Sequence, residues 1–447
     1  MAPDNRLFHH TLKISRELCR GCTHCMKRCP TQAIRIIGGK AHVDSERCID
    51  CGQCMIACPY HAIVIEQSDF EHIYHYQHRI AIVPSLFFAQ FDDTVACKDI
   101  IQAIRRIGFT DVYIAEFGID ILKALAGRVN VYADENPVIS AYCPAVVRLI
   151  QIKYPSLLKH INLIRNPAQI TALFLRYELE DQNIDPNEIG MFYVTPCAAK
   201  YAQILSPSAV SDGIIQGIIN LNSLYNLVKT QLAKLSQNKH RLDDFHELPP
   251  ISSASLVWVL AKGESEANSG RTLAIDEIHN VIEFLDLVEQ EDQKNLDFLE
   301  LRACDTGCTG GILTARNRFL ATERLRHIAE SLPEHISQQL KIRILKQADK
   351  LIRNLKVDRF QAKYSLTLDQ DVATAIKKME RSQKILSALP GIDCGLCGSP
   401  TCAALAEDIV QGKANIGQCA VLKLRKETSH HALGDVWGEP QSPLSEQ

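Results

Sequence analysis

The residues best suited to chemistry in this chain are its seventeen cysteines, many of which are regularly spaced. Near the N-terminus they form two runs with the same pattern, C-x2-C-x2-C-x3-C-P. The first run contains Cys19, Cys22, Cys25 and Cys29, and the second contains Cys48, Cys51, Cys54 and Cys58. Thiolates at this spacing can surround one 4Fe-4S cubane. The pattern therefore predicts iron–sulfur sites.

The pairing of the two runs follows a known rule. In two-cluster ferredoxins the fourth cysteine of each run ligates the neighbouring cluster. This rule assigns one cluster to Cys19, Cys22, Cys25 and Cys58, and the other to Cys48, Cys51, Cys54 and Cys29. Structural zinc is the alternative, but zinc sites use isolated cysteine pairs that close a tetrahedron. Two interleaved runs favour cubanes, which would relay single electrons.

A further group of four cysteines lies near the C-terminus in the pattern C-x2-C-x4-C-x16-C. Its members are Cys394, Cys397, Cys402 and Cys419. Small residues between them let a backbone wrap a bulky cluster and direct amides at its sulfides. The segment resembles the four-cysteine iron–sulfur domain that accompanies many anaerobic electron-transfer proteins. The resemblance implies a 4Fe-4S cluster, with zinc as the alternative.

Four more cysteines are spread through the middle of the chain. They are Cys143, Cys197, Cys304 and Cys308. A buried structural thiol is the ordinary alternative for each of them. Each nevertheless lies at a predicted strand end beside Pro or Gly, where a backbone bends close to another group. Cys97 lies instead on a predicted helix and is interpreted as a structural thiol.

The segments around these four cysteines resemble a known family. SAYCPAVVRLI, VTPCAAK and ACDTGCTGG are similar, in this order and after a two-cluster ferredoxin, to the three signature motifs of the FeFe-hydrogenase large-subunit domain. The resemblance covers roughly residues 78–330. It implies a 4Fe-4S cluster on the four cysteines, with Cys308 also bridging to a diiron centre that carries CO and CN ligands. It implies that Lys200 binds that cofactor through a cyanide, so that Cys308 and Lys200 are catalytic if the diiron centre is present.

The chain departs from that family at the positions where the family transfers protons. Tyr142 stands in place of a proton-donating cysteine, and a phenol with a pKa of about 10 does not readily replace a thiol in a proton relay. Gln203 replaces a relay glutamate, Thr195 and Arg302 replace methionines, and the glycine run is shortened to Gly310-Gly311. The pattern resembles the sensory branch of the family. Related cluster-assembly proteins also keep the four cysteines without a diiron centre.

The secondary structure predicted around these cysteines indicates a multidomain α/β chain. Buried strands are predicted in IAIVPSLFF, DVYIAEFG, MFYVTPC and LDFLELRAC, and a helix in VACKDIIQAIRRIGF. Strands alternating with helices indicate parallel sheets, whose strand ends collect functional groups. Together with the resemblances, the prediction is a ferredoxin-type α+β module, a two-lobed α/β hydrogenase-like domain, a helical linker and a small α-helical Fe-S module.

The predicted boundaries follow composition and the motifs. They are a two-cluster ferredoxin domain at 1–70, a hydrogenase-like domain at 78–334, a helical linker at 335–387, a four-cysteine domain at 388–425 and a disordered tail at 426–447. The ferredoxin halves each contain a cysteine loop, a short helix and a strand, and Gly38-Gly39 predicts a tight turn between two short strands.

Composition narrows the classes of partner. Lys and Arg number 49 against 52 Asp and Glu, a net charge of −3 that gives no reason to expect nucleic acid. No apolar stretch near the N-terminus is long enough for a membrane span, so a cytoplasmic protein is expected. The predicted iron–sulfur sites indicate an anaerobic protein. The absence of a Walker loop or a strand-linked GxGxxG gives no sign of nucleotide or flavin binding. Electrons are therefore expected to come from a redox protein partner.

Three functions remain open from the sequence. The first is a redox- or H2-responsive electron-transfer protein that interacts with a redox or signalling protein and has weak or no hydrogen turnover. The second is a catalytic hydrogenase in which Cys308 bridges the diiron centre and Lys200 orients it. The third is a non-catalytic electron conduit or scaffold with cubanes only. Tyr142 and Gln203 weigh against the second, and Lys200 weighs mildly against the third.

Overall fold

The computed structural model describes residues 10–129, 133–205, 213–237, 248–290, 295–363, 368–369 and 371–427. Its strands are β1 (Leu12–Ile14), β2 (Ile34–Ile37), β3 (Lys40–Val43), β4 (Ile63–Ile65), β5 (His78–Val83), β6 (Asp111–Ile114), β7 (Val138–Ile139), β8 (Ile189–Thr195), β9 (Gly217–Asn220), β10 (Thr272–Ile275) and β11 (Phe298–Leu301). Its helices are α1 (His24–Arg28), α2 (Gln53–Ile56), α3 (Cys97–Ile107), α4 (Phe117–Ala124), α5 (Pro144–Lys153), α6 (Pro167–Asp181), α7 (Ala198–Ile204), α8 (Leu221–Gln237), α9 (Ser253–Leu256), α10 (Ile278–Gln290), α11 (Arg318–Glu330), α12 (Gln338–Lys346), α13 (Ala348–Leu355), α14 (Val372–Ala388), α15 (Cys402–Val410) and α16 (Ala420–Glu427). None of the helices described is both long enough and apolar enough to span a bilayer.

The chain forms two compact units. The first contains residues 1–13, 48–56 and 63–364, and the second contains residues 14–47, 57–62 and 365–447. The predicted ferredoxin module (1–70) and the predicted helical linker (335–387) each contribute residues to both units. Most of the predicted tail, residues 428–447, lies outside the described residues.

The larger sheet of the first unit has four parallel strands in the order β6-β5-β8-β9. Side chains of β5 alternate between two cores. Ile80 and Ile82 pack in the core that includes residues of α4 and α6, whereas Ala81 and Val83 pack in the core that includes residues of α3 and α8. A parallel strand with both faces covered is apolar throughout, which explains the continuous hydrophobic run.

A second parallel sheet in the same unit has the order β10-β11-β7. Leu299 and Leu301 of β11 pack with Val146 of α5 and with Val281 of α10. Two parallel sheets with helices packed against them confirm the predicted α/β class. One predicted strand is shorter than expected, because Pro84 offers no backbone N–H and the chain continues from Ser85 to Gln90 as a 3-10 helix.

The second unit joins the first cysteine run to the C-terminal module. Strands β2 and β3 pair in antiparallel fashion around Gly38-Gly39, as predicted, and both glycines have positive φ. The N–H of Ile36 donates to the carbonyl of Gly398 at 2.8 Å. Gly398 has a φ of +88°, and a Cβ there would lie 2.1 Å from the oxygen of Ile36. Arg35 of β2 forms an ion pair with Asp408 of α15 at 2.5 Å.

The buried carboxylate of Asp120 on α4 generates a test of the first unit's stability. It accepts hydrogen bonds from the N–H of Ser252 at 2.9 Å, from the Ser252 hydroxyl at 2.6 Å and from the Ser255 hydroxyl at 2.9 Å. Asp120→Asn should lower the free energy of unfolding by roughly 2 kcal/mol, because the side-chain NH2 of asparagine would face groups that donate hydrogen bonds to the carboxylate.

Urea unfolding of the full chain measures this change. Asp349→Asn is the matched control, because the Asp349 side chain is 83% exposed and its ion pair with Arg128 lies at the surface. The control should leave the unfolding midpoint nearly unchanged. Equal midpoints for the two variants would contradict the importance of the Asp120 hydrogen bonds.

Candidate metal centres

Four of the predicted cysteine ligands, here called the central group, follow strands of the two parallel sheets. Cys143 follows β7 and precedes α5, which begins at Pro144. Cys197 follows β8 and precedes α7, and Cys304 and Cys308 follow β11. Because the carboxyl ends of parallel strands meet at one edge of a sheet, each of these turns presents its thiol at such an edge.

Electrostatics show that the thiols of the central group lie together. Burial raises the pKa of Cys197 to about 12, and the charges of Cys308 and Cys143 add to this effect while Lys200 opposes it. Burial also raises the pKa of Cys304 well above its usual value, and the other three thiols of the group raise it further. Such crowding of thiols is unfavourable unless a metal binds them as thiolates. The central group therefore fits a cubane.

The second N-terminal cysteine run lies beside the central group. The charge of Cys51 contributes to the raised pKa of Cys304, and Cys51 packs in the same core as Cys143 and Cys197. The adjacent Gly52 has a φ of +79°, and a Cβ there would lie 2.2 Å from a methyl carbon of Ile312. The backbone of the run thus closely approaches the segment that follows Cys308.

A buried ionic network surrounds Cys48 in the same unit, and the sequence reasoning missed it. Asp50 donates its N–H to the Cys48 sulfur at 3.5 Å, and its fully buried carboxylate pairs with Arg148. The Nδ1 of His10 lies 2.7 Å from the same carboxylate. Ligand atoms of His10, Cys48 and Asp50 lie within 4.8 Å of one another, but Asp50 is already paired with Arg148. We interpret the group as a support for Cys48.

The second unit brings together the ligands predicted for the other N-terminal cluster. Burial raises the pKa of Cys25 to about 11, and the charges of Cys22, Cys19 and Cys58 raise it further. Backbone amides point at the sulfurs, as expected around a cubane: the N–H of Ala41 lies 3.4 Å from Cys19 Sγ, and the N–H of Ala62 lies 3.3 Å from Cys58 Sγ.

Cys29 belongs to the second unit, whereas its predicted co-ligands Cys48, Cys51 and Cys54 belong to the first. Its sulfur accepts the N–H of Ala33 at 3.2 Å. The assignment of Cys29 to that cluster stays a prediction.

The C-terminal cysteines also converge. One small cavity is lined by Cys394, Cys397, Cys402 and Cys419. Burial raises the pKa of Cys397, and the charges of Cys394 and Cys419 raise it further. Cys394 is exposed, whereas Cys419 is buried, so one edge of this site faces solvent. The four sulfurs fit a cubane or another four-thiolate metal site.

Beside Cys308 lies a group of side chains that we call the Tyr142 cluster: Lys200, Tyr142 and Arg302. The ammonium of Lys200 lies 3.9 Å from Cys308 Sγ and 3.8 Å from the centroid of the Tyr142 ring. The guanidinium carbon of Arg302 lies 4.1 Å from the same centroid. The Tyr142 hydroxyl donates to Glu116 at 3.1 Å. The three side chains are in van der Waals contact, with both cations over one ring.

Buried carboxylates hold the Tyr142 cluster in place. Arg302 is bound by Glu300 at 3.1 Å and by Glu264 at 3.3 Å. Burial lowers the pKa of Arg302, but these two carboxylates outweigh it and hold that pKa above its usual value. Burial raises the pKa of Glu264 to about 7, against the lowering effect of Arg302. Burial and the charge of Glu116 raise the pKa of Tyr142 well above its usual value.

The remaining departures from the resembled family have local partners. The Thr195 hydroxyl donates to the carbonyl of Cys197 at 2.9 Å, and Gln203 accepts from Asn166 at 3.1 Å. Glu116 was not predicted, although an acidic residue within a predicted buried strand was a usable indication. Nothing comparable in the sequence distinguished Glu264 or Glu300. Cys97 begins α3 and packs partly buried against a core, as its structural interpretation predicts.

Comparisons with protein families agree with this arrangement. Residues 77–255 match the model described as iron only hydrogenase large subunit, C-terminal domain. Residues 11–59 match a 4Fe-4S dicluster domain, and residues 389–421 match a model for an Fe-S cluster. The hydrogenase match begins one residue before the predicted boundary of 78 and ends before Cys304 and Cys308.

Curated relatives cover only part of this chain. Iron hydrogenase 1 of Clostridium pasteurianum is 24% identical over 274 residues, which are 52% of this chain and 47% of that protein. The periplasmic Fe hydrogenase large subunit of Nitratidesulfovibrio vulgaris is 27% identical over 33% of this chain and 38% of its own length. The cytosolic Fe-S cluster assembly factor NAR1 of Candida dubliniensis is 26% identical over 23% of this chain and 18% of that protein. The chain thus spans about half or less of the length of these relatives.

A solved FeFe-hydrogenase HydA1 of Chlamydomonas reinhardtii superposes with a TM-score of 0.46 at 15% identity, over 64% of this chain and 96% of that one. The family matches carry the assignment. The chain contains an iron-only hydrogenase large-subunit domain between a 4Fe-4S dicluster domain and a C-terminal Fe-S domain, and it is an FeFe-hydrogenase-like iron–sulfur protein.

Proposed function

We propose that this protein transfers electrons through four 4Fe-4S clusters and responds to redox state, with weak or no hydrogen turnover. The observation that carries the proposal is the convergence of the central group beside a cluster of buried, charged side chains. Lys200, Tyr142 and Arg302 occupy the side of Cys308 where the resembled family would place its diiron centre.

Neighbouring cysteine groups within each unit support a relay. In the first unit Cys51 lies beside Cys304, so the second N-terminal run and the central group are electrostatically coupled. In the second unit the Lys27 ammonium on α1 binds the carbonyl of Asp393 and, at 3.2 Å, that of Pro400. Cys25 on the same helix and Cys394 beside Asp393 therefore belong to contacting segments. Adjacent cubanes can exchange single electrons.

The chemistry of Tyr142 supports weak or absent hydrogen turnover. A proton donor at the reacting centre needs a pKa near the working pH. Burial and Glu116 instead raise the pKa of Tyr142, and its hydroxyl proton is engaged with Glu116. The side chain would therefore retain its proton through the neutral range. For an electron-transfer protein of this kind, the proposed partner is a redox protein or a signalling protein in the cytoplasm.

The cluster inventory can be tested by counting iron. Anaerobically reconstituted protein should hold about 16 iron atoms per chain, four for each of four cubanes. The double variant Cys397→Ser/Cys402→Ser should lose about four of them, and so should Cys197→Ser/Cys304→Ser, because each pair removes two ligands of one cluster. Iron, zinc and acid-labile sulfide per chain are the measurements.

Cys97→Ser serves as the control, because Cys97 belongs to none of the four groups, and it should keep the full count. Zinc in place of iron at the C-terminal group would refute the fourth cubane. An unchanged iron count in Cys197→Ser/Cys304→Ser would refute the central one.

Hydrogen turnover provides a second test. The protein, expressed with a hydrogenase maturation system and reduced with dithionite, should evolve hydrogen at least ~100-fold more slowly than iron hydrogenase 1 of Clostridium pasteurianum in the same assay. Loss of a positioned general acid typically costs a factor of this size or more. Turnover within tenfold of that enzyme would contradict the proposal.

A further inference from the structure

We infer that the Tyr142 cluster takes the place of a second metal group at Cys308, so that Cys308 is a terminal ligand of one cubane and Lys200 is the counter-charge of its sulfur. The inference rests on the proposed function and specifies what its central site can hold.

The contacts leave no room for a further group between the Lys200 ammonium, Cys308 Sγ and the Tyr142 ring. The Lys200 ammonium is 3.9 Å from Cys308 Sγ and 3.8 Å from the Tyr142 ring centroid, and Arg302 is 4.1 Å from that centroid. Distances of this size are those of touching atoms. A diiron centre bridged through Cys308 would have to displace the ammonium, the ring or both. The residues present therefore do not fit the group.

Displacement of the ring would break buried interactions on several elements. The Tyr142 hydroxyl donates to Glu116, whose other oxygen accepts the N–H of Ser85 at 2.7 Å. The Tyr142 N–H is held by the Ser140 hydroxyl at 3.1 Å. Tyr142 is 6% exposed and Glu116 is 1% exposed, so neither can exchange these partners for water in place. Tyr142 is thus held both at its hydroxyl and at its backbone N–H.

Arg302 is equally fixed. It is 2% exposed, and Glu300 and Glu264 both bind its guanidinium. Glu300 in turn accepts the N–H groups of Lys262, Glu264 and Ser265. Separating a buried cation from its carboxylates leaves unpaired charges at high cost. The Arg302 guanidinium therefore stays over the Tyr142 ring.

The same geometry gives Lys200 a role that needs no diiron centre. Lys200 is 4% exposed and its ammonium lies against Cys308, whereas Arg302 is ion-paired with Glu300 and Glu264. Reduction adds negative charge to a cubane and its thiolates. A nearby cation in a buried, weakly screened site stabilises that charge and raises the reduction potential. Lys200 is therefore a positioning and tuning residue for the central cubane.

The first experiment is a redox titration of the reconstituted full chain followed by electron paramagnetic resonance. Lys200→Met should shift the midpoint potential of one cluster to a lower value and leave the others unchanged. The central cubane is identified as the cluster whose signal changes in Cys308→Ser. Lys200→Arg should restore much of the potential, because it returns the positive charge.

Lys153→Met is the matched control. Lys153 lies on α5 in the same unit, is 39% exposed and pairs with Asp286 at the surface. It should leave all four potentials unchanged. An unshifted central potential in Lys200→Met, or an equal shift in Lys153→Met, would overturn the counter-charge role.

The second experiment is infrared spectroscopy on the wild-type chain produced with a hydrogenase maturation system, with iron counted on the same sample. The inference expects no CO or CN stretching bands and about 16 iron atoms. Bands together with about 18 iron atoms would overturn it while leaving four-cluster electron transfer intact. A wild-type count near 12 without a central cubane would instead overturn the proposed function.

Discussion

The structure depends on bringing four thiolates from distant parts of the chain to one point. A cubane requires this, and the ends of parallel strands supply it. Cys197 comes from the four-stranded sheet, while Cys143 and Cys304 come from turns after strands of the three-stranded sheet. Because the thiols raise one another's pKa in a buried place, the arrangement is unfavourable without metal and favourable with it. Metal binding at these thiols would therefore stabilise the docked turns.

The charges around the central group follow from its burial. Lys200 and Arg302 are buried cations, and Glu116, Glu264 and Glu300 are buried carboxylates. Buried charges persist only when they are paired and hydrogen-bonded. Two departures from the resembled family, Tyr142 and Arg302, therefore act together with Lys200, since the tyrosine provides the ring over which both cations lie.

The two units each combine a cysteine run with another cysteine group. In the first unit, Gly52 and Ile312 bring the backbone of one run close to the segment after Cys308. In the second unit, the Arg35–Asp408 ion pair and the hydrogen bond from Ile36 to Gly398 hold the C-terminal module against the first run. These contacts within each unit explain why the predicted ferredoxin module contributes to both units. These contacts hold the cysteine-bearing segments of each unit against one another.

The sequence by itself determined the N-terminal and C-terminal cysteine groups, the parallel α/β class and the tight turn at Gly38-Gly39, because ligation by closely spaced cysteines and strand periodicity depend on local spacing. The central group was indicated only by a family resemblance. The sequence also identified Tyr142 and Arg302 as departures, but as separate substitutions. Only the tertiary structure placed them with Lys200 beside Cys308 and supplied Glu116, Glu264 and Glu300 as their partners. The same is true of the contacts among His10, Asp50 and Arg148. Such pairings join residues far apart in the chain, and no periodicity records them, since they arise only when the sheets and helices pack.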